Sequence, residues 1–243
     1  MRDLLVVVPS RARPRSIERL RDAMDATCRG DTHLLVGLDE DDPQRGEYPE
    51  GVEYEVRADL RFVVPWINAL SVPRVGQYRF IGTLGDDNRP VTAGWDVKIM
   101  EALTQTPFAF GNDLYPRPPG SLCCHIFCRS EVIKTLGYFG PPALCHMYVD
   151  PTWMAWGEAT GITYLHDVIL EHLHYSVGKS PLDESYRTSN ARTTADLIAY
   201  NHYCEDPGSA GLNADIRRLQ GIEYSPERLR QFNADLLIPR LTG

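Results

Sequence analysis

The first half of the chain repeats one device, a short apolar run that stops on a polar turn. Leu4 to Val8 stops on Pro9-Ser10-Arg11, and His33 to Leu38 on Asp39-Glu40-Asp41-Asp42. Tyr78 to Leu84 stops on Gly85-Asp86-Asp87, and Phe108 to Phe110 on Gly111-Asn112-Asp113. A continuous β-branched run such as Leu4 to Val8 belongs to a strand covered on both faces, as in a parallel sheet between helix layers. Val52 to Val56 reads as a further strand. Helical patterns fall between these runs. Pro14, Ile17, Leu20 and Met24 have helical spacing up to Gly30; Arg61 to Leu70 holds Trp66 and Asn68; Val91 to Leu103 turns Val97, Met100 and Leu103 inward. Alternating strand and helix, with every polar cluster after a strand, is the pattern of an α/β nucleotide-binding half-domain. Its ligands sit beyond the carboxyl ends of the strands.

That rule ranks the polar residues. In the loop after the first strand, Arg11 and Arg13 are placed to hold phosphate or nucleotide oxygens, whereas Arg15, Arg19 and Arg21 read as a solvated helix face. In the second acidic turn one carboxylate is placed to accept from a base or ribose, and the others serve the turn. Asp86 and Asp87 are adjacent carboxylates at a strand end and repel each other unless something positive joins them to a ligand. Hard oxygen donors of this kind suit Mg2+ or Mn2+ holding a diphosphate. The alternative is that they cap a helix begun by Asn88 and Pro90. Gly85 permits a close approach of the backbone.

A chain of 243 residues with net charge −8 is poorly suited to a generally basic nucleic-acid surface, although a local basic groove stays open. No apolar run is long enough to span a bilayer, and Met1-Arg2-Asp3 leads into a strand without a signal-peptide pattern, so the expectation is a cytoplasmic protein. Neither Gly-x-Gly-x-x-Gly nor Gly-x-x-x-x-Gly-Lys-Ser/Thr occurs, which counts against a dinucleotide dehydrogenase and a P-loop NTPase. Cys123, Cys124, Cys128 and Cys145, interleaved with His125 and His146, lack paired Cys-x-x-Cys spacing and read as small buried thiols rather than a zinc site.

The second half changes character. Leu122 to Cys128 reads as a strand, Arg129 to Leu136 as a helix, and Gly137 to Pro142 as a turn-rich loop. Asp150 precedes a proline that begins the helix Pro151 to Ala159. It is either an N-cap or a carboxylate fixed to take a proton from an incoming hydroxyl, with Trp153 nearby. Ile162 to Leu165 is a strand, and in Val168 to Tyr175 alternation puts His172 and His174 on one face and Glu171 on the other, which permits metal binding. Gly178-Lys179-Ser180 and Asp183 to Tyr186 form a polar loop able to close over phosphates. Thr188 to Tyr203 and Ser225 to Leu237 read as helices, with the Gly/Pro-rich stretch Pro207 to Gly211 between them.

With these pieces in order the chain resembles the GT-A-fold glycosyltransferases, of the family 2 type and its small phage-encoded relatives, over roughly residues 3 to 180. Val6-Val7-Val8-Pro9-Ser10-Arg11 is similar to the family's first strand and nucleotide-binding loop, and Leu84-Gly85-Asp86-Asp87-Asn88 to its Asp-x-Asp motif. The resemblance implies an α/β GT-A fold, Rossmann-like with a mixed central sheet flanked by helices. Residues 1–180 would form the nucleotide-sugar-binding and catalytic domain, and residues 181–243 a C-terminal helical extension packed on it. Pro9, Ser10, Arg11, Arg13, Asp39, Asn68, Asp86 and Lys179 would meet the nucleotide-sugar, a UDP-sugar, with Asp39 at the base. Asp87 with His172 or His174 would hold a divalent metal, Mn2+ or Mg2+. The segment from Phe127-Cys128-Arg129-Ser130 to Leu136-Gly137-Tyr138-Phe139 resembles the one that precedes the catalytic carboxylate. Asp150 would then be the base of an inverting transfer, with Trp153 beside the acceptor.

The acceptor implied by phage relatives is a hydroxymethylpyrimidine in DNA, with Arg57, Arg61, Arg117, Arg187 and Arg192 as backbone contacts. A cell-surface glycan or a small alcohol is the alternative. Two further readings keep the site and change the chemistry: a non-catalytic nucleotide-sugar-binding module, and a hydrolase built on His172, His174, Asp86 and Asp87.

Overall fold

The apolar runs pair side by side as the parallel part of one sheet. In the computed structural model, which describes residues 2–220, β1 (Arg2–Ser10) lies between β2 (Thr32–Asp39) and β4 (Tyr78–Thr83), parallel to both. β3 (Glu53–Arg57) adds to the outer side of β2. Beyond β4 the sheet becomes mixed. β7 (Ile126–Arg129) is antiparallel to β4 and to β6 (Phe108–Asn112), and β6 is parallel to the long strand β8 (Ile162–His172). A three-residue strand, β5 (Asn88–Pro90), closes the far edge antiparallel to β8. The order is β3-β2-β1-β4-β7-β6-β8-β5.

Both faces are covered, as uninterrupted apolar strands require. Leu4, Val6 and Val8 point to a layer made by α1 (Pro14–Thr27) and α3 (Trp95–Leu103), which contribute Ile17, Leu20, Trp95 and Ile99. Leu5 and Val7 point to the opposite layer. It holds α2 (Val63–Ser71), α4 (Ser130–Leu136), α5 (Val149–Thr160), α7 (Thr193–Glu205) and α8 (Leu212–Gln220). The remaining helix, α6 (Glu184–Ala191), lies next to the carboxyl edge of the sheet, where Ser185 Oγ donates to the Arg11 carbonyl.

Several expectations need correction. Asn88 and Pro90 do not begin a helix: Asn88 pairs with His172 and Pro90 with Leu170. Helix α3 begins at Trp95, so its buried face is Trp95, Ile99 and Leu103 at i, i+4 and i+8, with Val97 and Met100 only partly covered. Leu122 to His125 is not strand, because the His125 side chain turns in and its Nε2 accepts from the Gly111 N–H at 3.1 Å. The two strands expected from Ile162 to Tyr175 are one, with a register shift between Gly111 and Asn112 of the neighbouring strand. Thr188 to Tyr203 divides at Arg192 into α6 and α7. The helix expected over Ser225 to Leu237 lies outside the described residues. Among the described residues, no helix is long and apolar enough to cross a membrane. The six cysteines are free thiols, and Cys123, Cys128 and Cys204 are buried.

Gly37 shows how the core reaches the site. A Cβ there would lie 2.4 Å from the ring of Trp66, a buried side chain whose indole N–H donates to Asp39 Oδ1 at 2.8 Å. Gly37→Ala is expected to destabilise the protein by about 1–3 kcal/mol, the usual cost of overpacking. Chemical denaturation would measure it.

Candidate functional site

One edge of the sheet collects the polar turns. Ser10, Asp39, Asp86 and Asp113 follow or end β1, β2, β4 and β6, and β8, parallel to β6, ends beside them at His172. The strand order reverses between β1 and β4, with β2 and β3 added on one side and β4 on the other, and open α/β sheets bind ligands at such a point. Among the described residues, four non-glycine residues have positive φ: Ala12 (54°) after β1, Phe62 (64°) before α2, Leu114 (54°) after β6 and Tyr148 (68°) before α5. Backbone strain of this kind persists only where the surroundings hold it, and it gathers at functional sites.

The β5–β8 pairing welds the acidic turn to the histidine strand. The Leu173 N–H donates to the Asp87 carbonyl at 2.9 Å, and the His172 N–H donates to the Asp113 carbonyl at 2.9 Å. Asp87 Oδ2 then lies 3.1 Å from His172 Nε2 and accepts from the Tyr186 hydroxyl at 2.6 Å. Burial works to raise the Asp87 carboxyl, but the charge and hydrogen bond of His172 outweigh it and hold Asp87 below the ordinary carboxylate range. His172 shows the reverse: burial favours the neutral ring, and Asp87 overrides it and raises the imidazole well above its usual value. The Asp87 carboxylate folds back over Gly85, where a Cβ would lie 2.4 Å from Asp87 Oδ1, and the Gly85 N–H donates to Asn88 Oδ1 at 2.6 Å.

Asp86 belongs to a second buried pair. It accepts from Ser10 Oγ and from Arg13 Nη1, each at 2.8 Å. Burial, with the negative charge of Asp87 added, outweighs Arg13 and raises this carboxyl. Arg13 also forks onto Asp183, Nε to Oδ2 at 2.7 Å and Nη2 to Oδ1 at 2.8 Å, and stacks over the Tyr186 ring at 4.0 Å. The segment expected to close over phosphates therefore already touches Asp87 through Tyr186, and reaches Asp86 by way of Arg13. His174 sits against Tyr186, with ring centroids 4.8 Å apart, and 5.0 Å from His172.

Toward β2, Asp39 is buried and held by Trp66 and by Arg11 Nη1 at 2.8 Å. Pro9 is half-buried at the end of β1, in register with Gly37. Three expected contacts lie elsewhere. Asn68 is spent on the loop after α4: its Oδ1 accepts from Phe139 and Gly140 N–H, and its Nδ2 donates to the Gly140 carbonyl. Trp153 is 2% exposed and donates its indole N–H to the Phe139 carbonyl, so it offers an acceptor no surface. Lys179 pairs with Glu171 at 3.1 Å on the outer face of the β5–β8 ribbon.

Sequence reasoning passed over a second group beside His172. One imidazole nitrogen of His172, an Asp113 oxygen and the Cys124 thiol lie within 4.8 Å of one another. Arg117 Nη2 occupies this group: it donates to Asp113 Oδ2, to Cys124 Sγ at 3.4 Å and to the Leu122 carbonyl at 3.0 Å. A guanidinium already neutralises the donors there, which disfavours a second cation. The signal for Asp113 was present, since it ends an apolar run as Asp39 and Asp86 do. Asp150 lies in the first turn of α5, where its charge acts on Arg117 and on the thiols of Cys123 and Cys124. Its approach loop is clamped by Asp196 Oδ2, which accepts from the His146 N–H at 3.0 Å and the Met147 N–H at 2.9 Å.

No protein-family model matches the chain, and no curated protein does. Solved structures do. The mannosyltransferase PcManGT from Pyrobaculum calidifontis, in complex with GDP-Man and Mn2+, superposes with a TM-score of 0.59 at 13% identity, covering 100% of this chain and 78% of that one. S. aureus TarS gives 0.55 at 10% identity over 99% of this chain and 44% of that chain. Glucosyl-3-phosphoglycerate synthase from Mycobacterium tuberculosis, in complex with Mn2+, UDP and phosphoglyceric acid, gives 0.55 at 15% identity over 86% and 80%. The fold is GT-A. At these identities the likeness establishes architecture, and the GT-A frame puts this chain's acidic turn, histidine strand and first loop at one edge.

Beneath the GT-A edge, His125 is fully buried, and burial lowers its imidazole to about 4. Unfolded histidine titrates near 6.5, so between those values the unfolded chain binds the extra proton. Stability is therefore expected to be intact above about pH 6.5 and to fall by about 3 kcal/mol as the pH drops to about 4. Burial lowers His146 to about 4 as well, so in urea denaturation across this range His125→Gln, which keeps an acceptor for Gly111, should remove His125's share of the slope and leave that of His146.

Proposed function

We propose that the protein is a divalent-cation-dependent glycosyltransferase that moves a sugar from a nucleoside-diphosphate sugar, a UDP-sugar, to an acceptor hydroxyl. The observation that carries this reading is the Asp87–His172 pair at the carboxyl edge of a GT-A sheet, beside Arg13 and the Asp39 pocket. The donor set fits a hard cation. Adjacent ligands on an octahedral ion with bonds of about 2.1 Å stand about 3 Å apart, and Asp87 Oδ2 and His172 Nε2 stand 3.1 Å apart. The remaining positions would go to diphosphate oxygens and water, as is usual when a protein supplies few ligands. When bound, the cation would neutralise charge on the leaving diphosphate.

The chain's own residues supply the rest. Asp39, fixed by Trp66 and Arg11, is placed to accept from the nucleoside. Arg13 offers its fork to the diphosphate, and Ser10 keeps Asp86 turned toward Arg13. Asp150 would take the acceptor proton while the acceptor oxygen bonds to the anomeric carbon. The bond from that carbon to the diphosphate oxygen breaks, with its electron pair leaving on the nucleoside diphosphate. A single displacement of this kind inverts the anomeric centre.

For the acceptor, a neutral hydroxyl compound such as a glycan is better supported than DNA. Each arginine considered for phosphate contact is paired with a carboxylate: Arg57 with Asp59, Arg61 with Asp41, Arg117 with Asp113, Arg187 with Glu184 and Arg192 with Asp196.

Two variants test the reading. Asp87→Asn is expected to weaken Mn2+ binding at least about tenfold in calorimetric titration. Asp150→Asn should keep UDP binding while turnover falls about 10²–10⁴-fold. Unchanged Mn2+ affinity in the first would remove the cation site, and retained turnover in the second would remove Asp150 as the base.

A further inference from the structure

The helix that follows the histidine strand does more than cover the site. We propose that Tyr186 is a gate on Asp87: its hydroxyl holds the oxygen that a cation would take, and α6 couples release of that oxygen to release of Arg13. The inference rests on the reading of Asp87 as a cation ligand.

Asp87 Oδ2 accepts from Tyr186 at 2.6 Å and meets His172 Nε2 at 3.1 Å, so its acceptor capacity is used. A cation binding that oxygen competes with the phenol for it. Tyr186 cannot yield by a simple side-chain swing, because it is only 8% exposed. It is packed between the Arg13 guanidinium at 4.0 Å and the rings of His174 at 4.8 Å and Tyr175 at 4.6 Å. The backbone must move with it, and Asp183 anchors that backbone. Asp183 Oδ1 caps α6 by accepting from the Tyr186 N–H at 3.1 Å, while the same carboxylate holds Arg13 through two hydrogen bonds.

Four residues from three segments thus form one chain of contacts: Asp87 to Tyr186, Tyr186 to Asp183 through the first turn of α6, and Asp183 to Arg13. Opening it at either end loosens the other. A cation that lifts Tyr186 loosens Asp183 and frees Arg13 for an anion; a diphosphate that draws Arg13 away from Asp183 loosens the turn that holds Tyr186 on Asp87. Cation and nucleoside diphosphate then bind cooperatively even before they touch each other, and Tyr186 acts as a positioning residue. A conformational device of this sort needs differential contacts in its two states, and the Tyr186–Asp87 and Asp183–Arg13 bonds are those made only in the closed one.

The test is titration of Mn2+ into the full chain, with and without UDP, on the wild type, Tyr186→Phe and Asp183→Asn. Hydrogen bonds to charged groups correspond to about tenfold or more in an equilibrium. Tyr186→Phe is therefore expected to bind Mn2+ alone about tenfold more tightly, with the enhancement by UDP shrinking by a similar factor. Asp183→Asn keeps a helix cap but weakens the fork on Arg13, and should shift both values in the same direction. Unchanged or weaker Mn2+ binding in Tyr186→Phe overturns the gate and makes the phenol a support for Asp87. Asp87→Asn separates the two ideas: if it binds Mn2+ as well as the wild type, the cation reading fails and takes the gate with it.

Discussion

The pairing of three residues, Asn88 to Pro90, with the end of β8 is the constraint on which the site depends. Without it the acidic turn after β4 and the histidine at the end of β8 would be separate features of two strands. With it, the main chain of Asp87 is bonded to Leu173, and its carboxylate reaches His172. The outer face of the same ribbon is tied by Arg89 and Lys179 to Glu171. The short strand thus fixes the distance between two charged groups that are otherwise 85 residues apart in the chain.

Charge explains why the arrangement is so heavily cross-linked. Moving an ionised side chain out of water costs several kcal/mol unless it is paired. Asp86 and Asp87 are both buried side by side. Arg13 and His172 compensate one each, and Asp183, which shares Arg13, leaves the group of three carboxylates and two cations with an excess of negative charge. Burial raises the Asp86 carboxyl, and the charge of Asp87 adds to it. A bound cation would relieve the excess, and a diphosphate arriving with the cation would restore the balance that Arg13 now shares with Asp183.

Much of this was readable from the residues alone. The uninterrupted strand Leu4 to Val8 and the polar turns after each strand set the layers and the working edge, because period and burial are properties of local sequence. What could not be read was pairing across distance. Asn88-Arg89-Pro90 carries helix-start chemistry, and only its partner at His172 turns it into a strand. Asn68 and Trp153 looked available because nothing local says that Phe139 and Gly140 will come to meet them. Tyr186 and Asp183 were visible as a polar loop, but their grip on Asp87 and Arg13 arises from α6 folding back across more than 90 residues of chain. The residues after β8 accordingly do two kinds of work: α6 reaches the acidic turn, while α7 carries the Asp196 clamp that shapes the approach to Asp150.

If Asp87 and His172 converge on one cation, Mn2+ itself can report it. Pulsed electron paramagnetic resonance of Mn2+ bound to the protein with UDP detects nitrogen directly bonded to the ion. A shared ion predicts an imidazole nitrogen coupling in the wild type that disappears in His172→Ala and persists in His174→Ala. A Mn2+ spectrum with no nitrogen coupling, or one unchanged by His172→Ala, would contradict it.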